Sequence, residues 1–260
     1  MDSVNKTLYI PLYGKAYVSK KGILLHDPKA EEIWQKEGFP LKGKSASKWL
    51  AYHMGMRAAV FDSWVKEKLA RQRNAVIVHI GCGMDSRYLR VNPEGRTWFD
   101  IDFPEVIRER ERYFSERDGY RMVAADMRQD SWKREIPAGT EAIIVMEGVS
   151  MYFRPEELVK LLKELKSHFS RLYLLMDVYS DFGAKVSKYK NPINDVGVTT
   201  VYGMDDPQKL AEQTGLRYIT EHPMTPKAMI DQLSSGERAI FSRLFAGSFA
   251  RKIYRMYEFE

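Results

Sequence analysis

The sequence predicts an α/β fold, a mainly parallel sheet flanked by helices, from three observations. Short apolar runs at Ala75–Ile80, Ala142–Met146 and Leu172–Met176 have the makeup of strands buried on both faces. Between them lie stretches long enough for crossover helices, the clearest with apolar residues three and four apart. Glycine or acidic residues close several strands, at the edge where such sheets bind ligands.

The elements follow in order. From Ser45 to about Arg71, Leu50, Met54, Ala58, Phe61, Val65 and Leu69 recur at helical steps, with Ser45 or Ser47 as candidate caps. The strand Ala75–Ile80 runs into Gly81. A strand at Thr97–Asp102 precedes Pro104, which suits a first helical turn, and a helix is predicted from there to about Ser115. Tyr120–Ala125 reads as a strand ending at Asp126, and Ala142–Met146 as one ending at Glu147. Pro155 opens a helix whose apolar face is Leu158, Leu161, Leu162, Leu165 and Phe169. After the strand Leu172–Met176, a helix is expected from Asp205 to Thr214, stopped by Gly215. A strand at Leu216–Thr220, a helical stretch from Thr225 to Ala246 and a strand at Ile253–Phe259 complete the reading.

At 260 residues the chain fits one large domain with additions. No stretch approaches the ~18 apolar residues of a membrane span. Met1–Lys6 lacks an apolar signal region, and Cys82 is the only cysteine, which suits a reducing cytosol. A cytoplasmic protein with no membrane partner is expected. The net charge of +6 raises the question of nucleic acid. Yet positive and negative residues alternate, as in Arg108–Arg112, which reads as a solvated helix face, so no nucleic-acid partner is expected.

The strand ends carry the chemistry. Gly81-Cys82-Gly83 lets the backbone turn tightly and approach a ligand. A dinucleotide site would want a third glycine where Ser86 stands. Asp102 lies 21 residues beyond Gly81, a spacing suited to a ribose hydroxyl, or it caps the helix at Pro104. Asp126 and Glu147 add further acids at the same edge. A negative edge suits a ligand with a sulfonium and an ammonium and repels a pyrophosphate, which points to S-adenosylmethionine over a nicotinamide. Arg57, on the edge of an apolar helical face, needs an anion. The ligand's carboxylate and a structural pair with Asp62 or another acid both qualify.

These residues resemble the leucine carboxyl methyltransferase family, particularly its bacterial branch of polyketide-biosynthesis (tetracenomycin-type) O-methyltransferases. The likeness rests on Leu12–Ala16, His26–Ala30, Arg57 with Asp62, Gly81–Arg87, Asp102–Val106, Asp126–Arg128 with Trp132, and Glu147–Tyr152. It implies a class I methyltransferase, Rossmann-like fold with a seven-stranded sheet and an N-terminal helical cap. The division would be a single domain, 1–260, with a cap at 1–71, a core at 72–260 and a substrate-side insertion at 178–204. Arg57 would hold the cofactor carboxylate, Gly81 lie against the methionyl part, Asp102 bind ribose, Asp126 and Met127 the adenine, and Glu147 form the floor. Cys82, Gly83, Phe103 and Gly148 would line the same site, with S-adenosylhomocysteine as product. Cys82 stands where the family often has a smaller residue and reads as packing.

The acceptor implied is an acidic small molecule, methylated on a carboxylate or a phenolic hydroxyl. A protein carboxyl terminus, RNA, or cofactor binding without catalysis are the alternatives. A carboxylate is ionised at pH 7 and needs no base, whereas a phenol does. His53, one turn before Arg57, is the one histidine considered for that role, and Tyr152 can orient an acceptor oxygen or pack in the core. His79 reads as a satisfied core residue, and His26, His168 and His222 as surface. Lys185, Lys188 and Lys190, with Tyr189, could attract an acidic substrate or form a solvated loop.

Overall fold

A computed structural model of the chain describes residues 8–38, 41, 43–190, 200–247, 250 and 252–260. Three helices come first: α1 (Tyr9–Lys20), α2 (Pro28–Glu37) and α3 (Lys48–Arg71). Asp27 caps α2 by accepting from the Ala30 N–H at 2.9 Å, and Ser47 caps α3.

Then follow β1 (Val76–Ile80), α4 (Arg87–Val91), β2 (Trp98–Asp102), α5 (Pro104–Arg110), β3 (Tyr120–Ala124) and β4 (Glu141–Met146). The rest is α6 (Pro155–His168), β5 (Arg171–Tyr179), α7 (Asp181–Lys190), α8 (Pro207–Thr214), β6 (Tyr218–His222), α9 (Lys227–Ile230), α10 (Ser235–Leu244) and β7 (Tyr254–Phe259). The strands form one seven-stranded sheet in the order β3-β2-β1-β4-β5-β7-β6. It is parallel except for β7, which runs antiparallel to β5 and β6. The order reverses beside β1, and the register Ile101–Ile80–Met146 brings the ends of β2, β1 and β4 level. That is the topological switch point where ligands bind.

Alternation along β1 assigns the two faces. Val76, Val78 and Ile80 point into a core with Leu158, Leu161, Leu162 and Leu165 of α6. Ile77 faces the other way, with Val145 and Leu175, onto Leu12 of α1 and Phe61, Trp64, Val65 and Leu69 of α3. The N-terminal helices thus cover one face of the sheet and also overhang its ligand edge. Val18, Tyr52 and Met56 meet Ile230, Leu233 and Phe241 in a further cluster. Glu237, in the first turn of α10, accepts from Tyr52 Oη (2.7 Å), Lys21 (2.9 Å) and Lys48 (3.2 Å), seating that helix on α1 and α3.

Several expectations change. The helix from Pro104 stops at Arg110, where the chain passes into tighter turns with the Arg112 and Tyr113 N–H groups donating three residues back, and the Arg110 guanidinium is completely buried against Asp100 at 2.5 Å. Arg110 therefore does not belong to a solvated charge face. The stretch from Thr225 to Ala246 is two helices, broken between Asp231 and Ser234. Lys185 lies on α7, not in a loop; the side chains of Lys188, Tyr189 and Lys190 fall outside the described residues. Of the histidines expected at the surface only His26 is exposed. His168 is half-buried against the Ile136 carbonyl (3.0 Å), and His222 meets Glu258 at 2.6 Å. Among the described residues no helix is long and apolar enough to cross a membrane.

Candidate active site

A cavity of about 780 Å³ opens at the switch point. That is toward the upper end of the roughly 300–1,000 Å³ range of small-molecule sites. One half of its wall is the sheet edge: Gly81, Cys82, Gly83, Asp102, Phe103, Glu147 and Gly148. The other half comes from α1, α3 and the C-terminal segment and is mostly apolar and aromatic. His53, Met54 and Arg57 share it with Tyr152, Tyr179, Phe245 and Tyr254.

Backbone geometry makes the first half. Gly81 and Gly83 both sit at positive φ, +69° and +50°, which an L side chain resists. The turn is held from beneath by Arg110, which donates to the Gly83 carbonyl at 2.9 Å. The Gly83 N–H in turn donates to Asp102 Oδ2, and the Phe103 N–H to Oδ1, both at 2.8 Å. Cys82 is buried, its thiol pushed up by desolvation, so it packs and does not react.

Asp102 combines both alternatives read from the sequence. Its carboxylate is fixed by two backbone donors and also lines the cavity. Burial pushes it up to about 6, only partly offset by those donors. The folded value lies above that of an unfolded aspartate. At this residue the protein alone therefore gains stability as pH falls from about 7 toward 4. A ligand hydroxyl that donates to the ionised form needs the opposite. The affinity of such a ligand is expected to be flat above pH 7 and to fall as pH drops through 6, as calorimetry at pH 5.0, 6.0 and 7.5 will measure. An Asp102→Asn variant should lose that dependence.

The second feature is a continuous run of buried ion pairs. Asp27 meets Arg90 (2.6 Å), and Arg90 meets Asp62 (2.6 Å) and Asp85 (2.7 Å). Lys15 joins at Asp85 (3.3 Å). Arg87 links Asp62 (2.7 Å) to Glu147, and Arg57 links Glu147 (2.9 Å) to Asp177 (3.1 Å). Tyr254 closes the run, accepting from Arg57 Nη1 (2.9 Å) and donating to Asp177 Oδ2 (2.6 Å). His79 is the satisfied core residue expected: it meets Asp100 through Nδ1 (3.2 Å) and Arg87 through Nε2 (3.3 Å).

Arg57 therefore pairs with Glu147 and Asp177, while Asp62 serves Arg87 and Arg90. Among the described residues, Arg57 Nη2 has no hydrogen-bond partner, and the guanidinium lines the cavity. A Cβ on Gly148 would come within 3.3 Å of Nη1 and 3.4 Å of Nη2. The bare glycine, at φ +71°, leaves that side of the arginine open to a carboxylate. Burial would raise Glu147, but Arg87 and Arg57 outweigh it and hold it at about 2. Asp177 stays raised by burial despite Arg57.

Asp126 and Met127 are not on the cavity wall. Asp126 is paired with Arg128 (2.7 Å) and Met127 is buried. Their link to the site is indirect, since Arg128 lies 5.5 Å from the Phe103 ring. Tyr152 lines the cavity, exposed, and burial of its hydroxyl with Tyr179 beside it raises its pKa above the ordinary value, so it remains a donor at neutral pH. His53, also on the wall, is lowered to about 4 by burial and then by Arg57, and so is uncharged at pH 7. The sequence reading missed Lys15, Asp177, Tyr179 and Tyr254. Asp177 carried a usable signal, an acid directly after the apolar run of β5.

The sequence model of the leucine carboxyl methyltransferase family matches residues 8–166. A tetracenomycin polyketide synthesis O-methyltransferase of Streptomyces glaucescens is 29% identical over 86% of this chain and 84% of its own. An S-adenosyl-L-methionine-dependent methyltransferase of Gibberella zeae is 30% identical over 84% and 81%. Among solved structures, the magnesium protoporphyrin IX methyltransferase of Synechocystis, crystallised with bound S-adenosylhomocysteine, superposes with a TM-score of 0.52 at 13% identity. That match covers 88% of this chain and 92% of the other, a likeness of fold alone.

Proposed function

The chain belongs to the leucine carboxyl methyltransferase family, and from that premise we propose that its cavity carries methyl transfer from S-adenosylmethionine to an oxygen of a small molecule. The protein is an S-adenosylmethionine-dependent O-methyltransferase with a class I fold. The observation that carries the assignment of residues is one continuous cavity. It joins the Gly81–Gly83 turn, Asp102, and the open side of Arg57 beside Gly148 to an apolar, aromatic wall.

In this reading Asp102 accepts from the ribose, Gly81, Cys82 and Gly83 lie along the methionyl part, and Phe103 flanks the nucleoside. Arg57 Nη2 takes the cofactor carboxylate, above a floor of Glu147 and Gly148. Asp126 and Met127 keep an adenine role only through a loop contact at the end of β3. The cofactor supplies an electrophilic methyl group. The residues supply alignment, worth up to ~7–11 kcal/mol in effective molarity, and a site shielded from water.

Calorimetry with S-adenosylmethionine tests the cofactor half. Binding near micromolar, about −8 kcal/mol, is expected. It should weaken by ~1–3 kcal/mol in Asp102→Ala, as loss of a charged acceptor requires. No heat and no thermal stabilisation at millimolar cofactor would overturn the reading.

His53 and Tyr152 face the acceptor half. Replacing His53 by alanine should leave methylation of a carboxylate within about tenfold, ~1.4 kcal/mol. For a hydroxyl acceptor the same change should cost ~10²–10⁴-fold in kcat, the usual worth of a proton acceptor. The ratio of the two losses reports which acceptor the site serves.

A further inference from the structure

We infer that Tyr254 is a positioning residue for the cofactor: together with Asp177 it aims Arg57 Nη2 into the notch beside Gly148 and so sets how tightly the cofactor carboxylate is held. The inference rests on the methyltransferase reading of this cavity and adds a residue that the reading does not otherwise use.

Geometry is the first support. Arg57 Nη1, Tyr254 Oη and Asp177 Oδ2 close a triangle. Nη1 donates to Oη at 2.9 Å and to Oδ2 at 3.1 Å, and Oη donates to the same Oδ2 at 2.6 Å. The other oxygen of that carboxylate, Oδ1, accepts from the Gly148 N–H at 2.6 Å. One carboxylate thus fixes both sides of the notch. Asp177 itself lies behind the wall, fully buried, whereas Arg57, Gly148 and Tyr254 are on it.

The direction of these hydrogen bonds is forced. A guanidinium N–H can only donate, so Tyr254 accepts from Arg57 and its single proton is left for Asp177. Burial, and then the Asp177 charge, raise the hydroxyl well above its ordinary pKa, which keeps that proton in place at neutral pH. Tyr254 therefore neither gives a proton to a ligand nor takes one, although it lines the cavity. It acts through Arg57.

The hydroxyl is needed because arginine and carboxylate favour a fork-to-fork pair through two nitrogens at once. Arg57 Nε is engaged with Glu147 at 2.9 Å, so the nitrogens within reach of Asp177 are Nη1 and Nη2. By bonding to both Nη1 and Oδ2, the hydroxyl keeps that carboxylate from drawing Nη2 off the cavity side, where Gly148 has no side chain. The ring has its own supports, with Tyr179 4.8 Å and His53 6.2 Å away between centroids. Removing the oxygen alone leaves those contacts in place.

The test compares S-adenosylmethionine with its decarboxylated form, which keeps the adenosine, sulfonium and ammonium groups and lacks the carboxylate. Calorimetry, by displacement where binding is weak, gives the ratio of the two affinities. The unmodified protein should favour S-adenosylmethionine by roughly tenfold or more, as a hydrogen bond between charged groups would give. Tyr254→Phe should weaken S-adenosylmethionine about tenfold and leave the decarboxylated form within about twofold, so the ratio falls toward one. Asp177→Asn, which changes a group behind the wall, should lower the ratio in the same way and reads the effect if Tyr254→Phe fails to fold. A folded variant that keeps the ratio of the unmodified protein overturns the inference, whether both affinities fall together or neither falls. A ratio near one in the unmodified protein sinks the Arg57 assignment beneath it. Absence of S-adenosylmethionine binding sinks the methyltransferase reading instead.

Discussion

Arg57→Met is expected to lower the unfolding free energy by about 3–5 kcal/mol, the cost of leaving a buried charge without its partner. The arginine side chain is 5% exposed, and those of Glu147 and Asp177 3% and 0%. Methionine fills much of the volume, so the loss is electrostatic more than steric. Glu147 retains Arg87, but among the described residues Asp177 keeps only the Tyr254 hydroxyl and the Gly148 N–H (2.6 Å). Adding Asp177→Asn to Arg57→Met should therefore recover part of the loss, a coupling that urea denaturation of the four-member cycle will resolve. Cofactor binding should not return, because Nη2 is missing from both variants. If Arg57→Met unfolds at the same urea concentration as the parent, the ion pairs contribute nothing.

The second large effect is expected at Gly81. A Cβ there would stand 2.6 Å from Val149 Cγ2, and the residue sits at φ +69°. Gly81→Ala should cost ~1–2 kcal/mol for the left-handed backbone, with a further ~1–3 kcal/mol for the contact. Gly95→Ala, at φ +81° with nothing within 4 Å of its Cβ, isolates the backbone share. The difference between the two variants measures the contact, and Val149→Ala in the Gly81→Ala background should remove it. Since Val149 also lines the cavity, Gly81→Ala should weaken cofactor binding beyond its effect on folding. Equal losses in Gly81→Ala and Gly95→Ala, with unchanged binding, would show that the close approach is unimportant.

The strands were legible because burial on both faces leaves a compositional mark. Val76–Ile80 and Glu141–Met146 are nearly continuous apolar runs, and the glycine turn and acids sit immediately after such runs. Asp102 and Glu147 were placed at that edge by position alone and Gly148 by the family likeness, and all three line the cavity. Pairings were not legible, because they depend on topology: Arg57 reaches Glu147 across 90 residues, Asp177 across 120 and Tyr254 across 197. Arg110 misled for the same reason. Its alternating neighbours describe a solvated face, and only the packing of α5 on β2 and β3 reveals Asp100 and Tyr120 beneath it. Asp126 was placed on the same edge as Asp102, yet a nearby arginine, Arg128, turns its carboxylate aside. Helices failed at α7, where no helix was predicted, and at the break between α9 and α10, which was read through as one helical stretch.

The place of β7 bears on synthesis. This strand lies between β5 and β6, and its first residue, Tyr254, closes the ion-pair run at Arg57 and Asp177. A ribosome that has made everything through β6 still exposes a nascent chain with two unpaired strand edges around an empty slot. Neither edge is satisfied, nor is the ion-pair run closed at Arg57 and Asp177, until residues 254–259 have left the exit tunnel. Chains that stop before β7 are therefore expected to keep both edges exposed and to become clients for chaperones.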